Sequence, residues 1–179
     1  MASIIKTVFQ NMLTQASEVS GVAHYAVWNN QIDSLLAGTG ISFATPALFI
    51  ELITNDSAKF LVGISRSYVT WRIHILHRQE DAGDGTFDQN LDVFDIRDAV
   101  KVKFTNYTQD NCAPLSFAGE EQDYNHNNVY HYIIDFTSAI TDSKGSPLDP
   151  DSTEWQEVDA SGYNIDITID PEQPYLQQS

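Results

Sequence analysis

From Phe60 to Arg78 the chain alternates with a period of two: Val69, Trp71, Ile73 and Ile75 fall on one side, Thr70, Arg72, His74 and Leu76 on the other. A second stretch does the same, with Tyr130, Tyr132, Ile134 and Phe136 set against Val129, His131, Ile133 and Asp135. That pattern is the pleat of a half-buried β-strand. Any fold open to this chain therefore contains a sheet with one covered face. Ala47–Ile53 adds a short apolar strand that Pro46 can open but not interrupt, stopped at Asn55-Asp56. Leu61–Ser65 belongs to the long strand or to a partner of it, with Gly63 as a bend.

Two helices are available to cover that face. Ile5, Val8, Phe9, Met12, Leu13 and Ala16 recur at spacings of three and four between Ala2 and Val19, and Gly21 ends the stripe. Val93, Ile96, Val100 and Phe104 give a second, more mixed pattern with Leu91, Phe94 and Asp98, and Asp88 is placed to cap it. Between Ala23 and Gly40 the sequence predicts a turn at Trp28-Asn29-Asn30 and a short helix or loop after it. The stretches 79–88, 106–114 and 119–128 are polar connections, with a strand starting near Leu115-Ser116-Phe117. The expected fold class is α+β: an antiparallel or mixed β-sheet with an N-terminal helix and a second helix packed on one face, plus an extended C-terminal arm. The core domain is expected over 1–141 and the arm over 142–179.

The arm matters because of charge. Nine Lys and Arg stand against 25 Asp and Glu, a net −16, and half of it falls in the last 38 residues. Such a chain repels phosphate backbones and anionic membranes. Apolar residues make up 42% of the chain, so it is globular despite that charge. The arm carries one alternating stretch, Tyr163 to Asp170, in which Ile165, Ile167 and Ile169 form an apolar edge that must add to a sheet. No leader or membrane span is read in the sequence, so synthesis in a cytoplasm is expected.

Catalytic signals are poor. His74 and His77, three apart in a strand, point to opposite faces and cannot share a metal. Asp123 and His126 could chelate from a loop, but a carboxylate and an imidazole in a polar turn are ordinarily solvated. Glu80-Asp81-Ala82-Gly83-Asp84-Gly85 lacks the ligand spacing and closing Glu of a calcium loop. Glu120, Glu121 and Asp123 stand in a turn-like stretch where carboxylates are ordinarily hydrated. Cys112, the single cysteine, has no activating neighbours in sequence. No nucleophile elbow, phosphate loop or dinucleotide fingerprint is present. The expectation is a protein that is not an enzyme and takes no cofactor. Arg66, Arg72, Arg78 and Arg97 are scarce cations in an acidic chain and are candidates to meet carboxylates, in this chain or another.

The segment from Pro46 to Asp142 resembles tail terminator (tail completion) proteins of long-tailed bacteriophages, in the divergent form of phages and prophages of gut Bacteroidetes-type hosts. The residues that carry the resemblance are Pro46-Ala47-Leu48-Phe49-Ile50-Glu51-Leu52, Trp71-Arg72-Ile73-His74-Ile75-Leu76, Leu91-Asp92-Val93-Phe94-Asp95-Ile96 after the acidic loop, and 121–130 leading to Ile134-Asp135-Phe136. It covers a little over half of the chain and excludes the arm. It implies a helix-backed sheet that assembles as a ring, typically a homo-hexamer, on the head-proximal end of the tail tube. The ring stops tube growth and docks the neck, in the virion, without catalytic residues. The implied partners are the chain itself, the tail tube protein and a neck or head-completion protein. Genomic DNA would pass without being gripped, past acidic groups such as Glu80, Asp81, Asp84, Glu120, Glu121 and Asp123. Arg66, Arg72, Arg78, Arg97 and the strand Tyr163, Ile165, Ile167, Ile169 are the candidate protein-interface residues. The competing expectations are another neck or head-completion connector, and a monomeric acidic module that blocks a basic surface.

Overall fold

Helix α1, Ile4–Ser17, buries Val8, Met12 and Ala16, one residue per turn on a single stripe. The chain leaves it through Gly21, whose φ of +83° is in the left-handed region that glycine adopts without a Cβ penalty. The computed structural model describes residues 3–32, 43–61, 64–78, 88–125 and 129–144. The expected acidic loop with Glu80, Asp81 and Asp84, and the expected strand with Tyr163, Ile165, Ile167 and Ile169, lie outside the described residues.

Among the described residues five strands follow in one sheet: β1 His24–Val27, β2 Ala47–Leu61, β3 Ile64–Arg78, β4 Ser116–Asp123 and β5 Val129–Asp142. Helix α2, Asp88–Phe104, stands between β3 and β4 in sequence. The spatial order is β1-β2-β3-β5-β4, with β1 parallel to β2 and every other pair antiparallel, so the sheet is mixed. Both helices pack on one face. Val8, Met12, Ala16, Val93, Ile96, Val100 and Phe104 meet Leu48, Ile50, Trp71, Ile73, Ile75, Ile134 and Phe136 there. This is the α+β arrangement read from the two periodicities.

Several local expectations need correction. His24–Val27, to which the sequence pattern assigned no element, is an edge strand; four residues beside β2 suffice because pairing comes from the register His24↔Ala47 to Val27↔Ile50. Strand β2 does not stop at Asn55-Asp56 but passes them through an irregularity between Thr54 and Asp56 and runs on to Leu61. A bulge absorbs the turn-forming residues without ending the ladder. The polar run Gly119–Asp123 is strand, paired from Gly119↔Asp135 to Asp123↔His131. Alternating faces are legible only when one is apolar, and neither face of β4 is. Asp88 is itself helical and not the cap before the helix. In α2, Leu91 and Phe94 stay 53% and 41% exposed while Val93, Ile96, Val100 and Phe104 are buried, which explains the mixed pattern.

The connection after α2 is strapped to β5: Ala113 N–H donates to Ala139 O at 2.8 Å and Thr141 N–H to Asn111 O at 2.8 Å. Asn106 and Asn111, both at φ +60°, make its turns, a conformation asparagine tolerates better than most residues. Cys112 is thereby buried against Ser138, and burial pushes its thiol pKa up.

Candidate functional site

The sheet face away from the helices is where the polar side chains of four strands meet. Its rows follow from register. Glu51 on β2 lies opposite Arg72 on β3, and Arg72 opposite Asp135 on β5. One row along, His74 lies opposite Phe49 and Ile133, and Ile133 opposite Glu121 on β4. The next row sets Leu76 opposite His131, and His131 opposite Asp123. His74 and His131 are thus diagonal neighbours, a spacing that long and aromatic side chains bridge.

They do bridge it. His74 Nδ1 lies 2.9 Å from His131 Nε2; His74 Nε2 lies 3.2 Å from Glu51 Oε2; His131 Nδ1 lies 3.2 Å from Asp123 Oδ2. The result is a continuous line of carboxylate, imidazole, imidazole and carboxylate crossing β2, β3, β5 and β4. The two rings are 3% and 4% exposed, while Glu51 and Asp123 reach solvent at the ends. Burial, then the neighbouring His131 and Arg72, lower the His74 pKa to about 3. Trp28 lies flat over the pair, its ring 3.8 Å from that of His74 at an interplanar angle of 6° and 5.6 Å from that of His131. The indole is placed by its own backbone, whose N–H donates to Ile50 O at 2.9 Å, and by a turn in which Gln31 bonds both Val27 O and Asn29 N–H. Ile32, Phe43, Phe49, Leu76 and Val129 close the apolar end of this face.

Beside the histidines, Arg72 makes a two-pronged bond to Asp135 at 2.9 and 3.0 Å. Those bonds raise the arginine's pKa, Glu51 and Glu121 adding to the effect. A depression of ≈ 300 Å³ opens next to this pair, with Thr70, Gly119, Glu121 and Ile133 in its walls. Among the described residues no three His, Cys, Asp or Glu side chains converge as a metal cage would require; the four groups form a line. No protein-family model matches the chain, and no curated protein is detectably similar to it.

The residues singled out from sequence are divided by this geometry. Arg72 and Arg97 are engaged within the chain. Arg97 reaches over from α2 to Glu120, with a 2.9 Å bond from Nε, and also touches Asp98; these bonds raise its pKa. Glu120 takes Lys101 as well and is held below its ordinary value, chiefly by Arg97. Glu120 and Glu121 are therefore not a pair: adjacent in a strand, they point to opposite faces. Arg66 lies on the outer part of β3 with its guanidinium 5.8 Å over the Tyr68 ring, and Arg78 is exposed at the end of that strand. Asp123 bonds His131. Sequence reasoning missed the line Glu51–His74–His131–Asp123 and the role of Trp28. The available signal was parity: Arg72 and His74 share a face of β3, and His131 and Asp135 share one of β5.

The arginine–carboxylate pair carries a prediction. Asp135→Ala leaves a part-buried guanidinium without its acceptor and is expected to cost about 1–2 kcal/mol, and Arg72→Ala a similar amount. The double variant is expected to cost about 1 kcal/mol less than the two singles summed. Urea denaturation of the four proteins checks this, and additive costs would show the pair to be surface decoration.

Proposed function

We propose that the chain is a ring-forming structural protein of a phage tail, a tail terminator, that closes the tail tube and presents a docking surface to the neck. The observation that carries this is a blade of sheet longer than its own core requires. Strands β2 and β3 run 15 residues each and β5 runs 14, about 45–50 Å at ~3.3 Å per residue. Helices of 14 and 17 residues cover only about 20–25 Å at ~1.5 Å per residue. In β3 the buried residues all fall between Val69 and Leu76, with Thr70 and Arg72 only part-buried, and among the described side chains of β2 they are Ala47–Ile50.

Beyond those residues β2 and β3 carry polar groups: Thr54, Asn55, Asp56 and Ser57 are exposed, and Ser57 and Ser67 bond each other across the strands, while β5 beside β3 has buried residues as far as Ile140. Among the described residues β1 pairs with β2 only at 47–50, so the main chain of β2 past Ile50 presents an open edge. An open edge on a projecting blade is a template for another strand. A ring supplies one from the neighbouring subunit, and Tyr163, Ile165, Ile167 and Ile169 are the segment we assign to it. The net charge of −16 suits a conduit past which DNA slides without being held.

Light scattering on the full chain, alone and with purified tail tubes, tests the proposal together with negative-stain images. A ring-sized species, or subunits on tube ends, is expected. Full-length protein with Ile165, Ile167 and Ile169 all changed to Asn is expected to stay folded and lose the ring. A strict monomer that ignores tubes overturns the proposal, and binding to a portal or adaptor ring instead would move the protein to the other side of the neck.

A further inference from the structure

The four-membered line on the open face has a proton count that its geometry dictates. Three contacts of hydrogen-bond length run along it: Glu51 to His74, His74 to His131, and His131 to Asp123. Each contact needs one hydrogen between its two heavy atoms, since two lone pairs facing at 2.9 Å repel. Ionised carboxylates only accept, and a neutral imidazole brings a single N–H. Two neutral imidazoles therefore fill two of the three positions, and the line is complete only with a third proton.

We propose that Glu51, His74, His131 and Asp123 bind one extra proton at neutral pH, shared within the His74–His131 pair, and that this proton clasps the Trp28 segment and strand β4 to the sheet. The proton rests on His131. His74 is kept neutral by its burial, by His131 and by Arg72. His131 then donates from Nε2 to His74 and from Nδ1 to Asp123, while His74 donates from Nε2 to Glu51. Asp123 is arranged to receive this: its Oδ1 accepts the backbone and side-chain N–H groups of Asn125 at 3.0 and 2.6 Å, and its Oδ2 faces His131 Nδ1. The flat indole above both rings adds a π face to a delocalised cation.

The surrounding charges favour keeping the proton. Facing the pair are Glu51 from β2, Arg72 from β3, Asp135 from β5, and Glu121 and Asp123 from β4. Among the described residues that is four carboxylates against one guanidinium, and Asp135 already occupies the guanidinium. From the β1 side comes Trp28; His24 stacks instead on Phe43 and Phe49.

Stability then depends on pH in both directions. The folded pair carries one proton. Two unfolded histidines with the ordinary value of 6.5 together carry one at pH 6.5, nearly none by about 8.5 and nearly two by about 4.5. Above 6.5 the folded state holds more protons than the unfolded state, so stability falls as pH rises. Below 6.5 the unfolded state holds more, because His74 resists protonation down to about 3, so stability falls as pH drops. Each limb approaches a tenfold change in the folding equilibrium per pH unit.

Two measurements on the full-length protein test this. Nitrogen-15 NMR of the histidine rings at pH 7 is expected to show three N–H nitrogens and one bare nitrogen, His74 Nδ1, in this pair. Two bare nitrogens would overturn the proposal without any variant. Urea midpoints from pH 5 to 9 are expected to peak near pH 6.5, and His131→Gln is expected to flatten the alkaline limb relative to wild type. A third proton seen by NMR with an unchanged alkaline limb in His131→Gln would overturn the clasp.

Discussion

Trp71→Ala is expected to cost about 4 kcal/mol, enough to leave much of a marginal domain unfolded. Trp71 sits at the centre of β3, fully buried, and Phe9 of α1 packs edge-on to it with ring centres 5.2 Å apart. Alanine there removes the contact that fixes α1 to the sheet and leaves a void the surrounding strands cannot close, because β3 is paired on both sides. Trp71→Phe is expected to cost well under half as much. Among the described residues the buried indole N–H has no acceptor of normal geometry and lies by the Cys112 sulfur. Removing that donor returns about 1–3 kcal/mol of desolvation that tryptophan forfeits, against the volume lost. Urea midpoints at constant slope measure both costs. An alanine cost below about 2 kcal/mol, or a phenylalanine cost equal to it, would show that the helix layer is not anchored at this position.

Trp71 also marks what the sequence alone discloses. Its place on the covered face followed from alternation with Val69, Ile73 and Ile75, and the same logic placed Ile134 and Phe136. Helix α1 followed from Val8, Met12 and Ala16. Where the two faces of a strand differ in polarity, the period declares itself. It failed where they do not: β4 carries Glu120 and Glu121 on opposite faces, and β2 from Thr54 to Ser57 is polar on both. Strand β1 is too short to show a period. The line of titratable groups needed more than periodicity. Parity put His74 and His131 each on the face of a charged neighbour, but joining them required the register Leu76↔His131. Register is fixed by long-range pairing, which no local pattern contains.

That line yields the second large effect. His131→Leu leaves Asp123 facing an apolar group and His74 Nδ1 buried without its donor; it is expected to cost about 2–3 kcal/mol. His74→Phe keeps a flat ring under Trp28 but strands His131 Nε2, and a cost of about 2 kcal/mol is expected. The double variant strands no ring nitrogen, because both partners of the central bond are gone. It is therefore expected to cost at least about 1 kcal/mol less than the sum of the singles. The same cycle repeated at two pH values separates a packed pair from a proton-holding one. If the rings merely pack, the coupling is the same at pH 6.5 and pH 9. If they share a proton that the solvent removes at high pH, the wild-type bond weakens while the double variant is unaffected, and the coupling shrinks. Equal couplings at the two pH values, or additive costs at both, would leave His74 and His131 as two independently buried side chains.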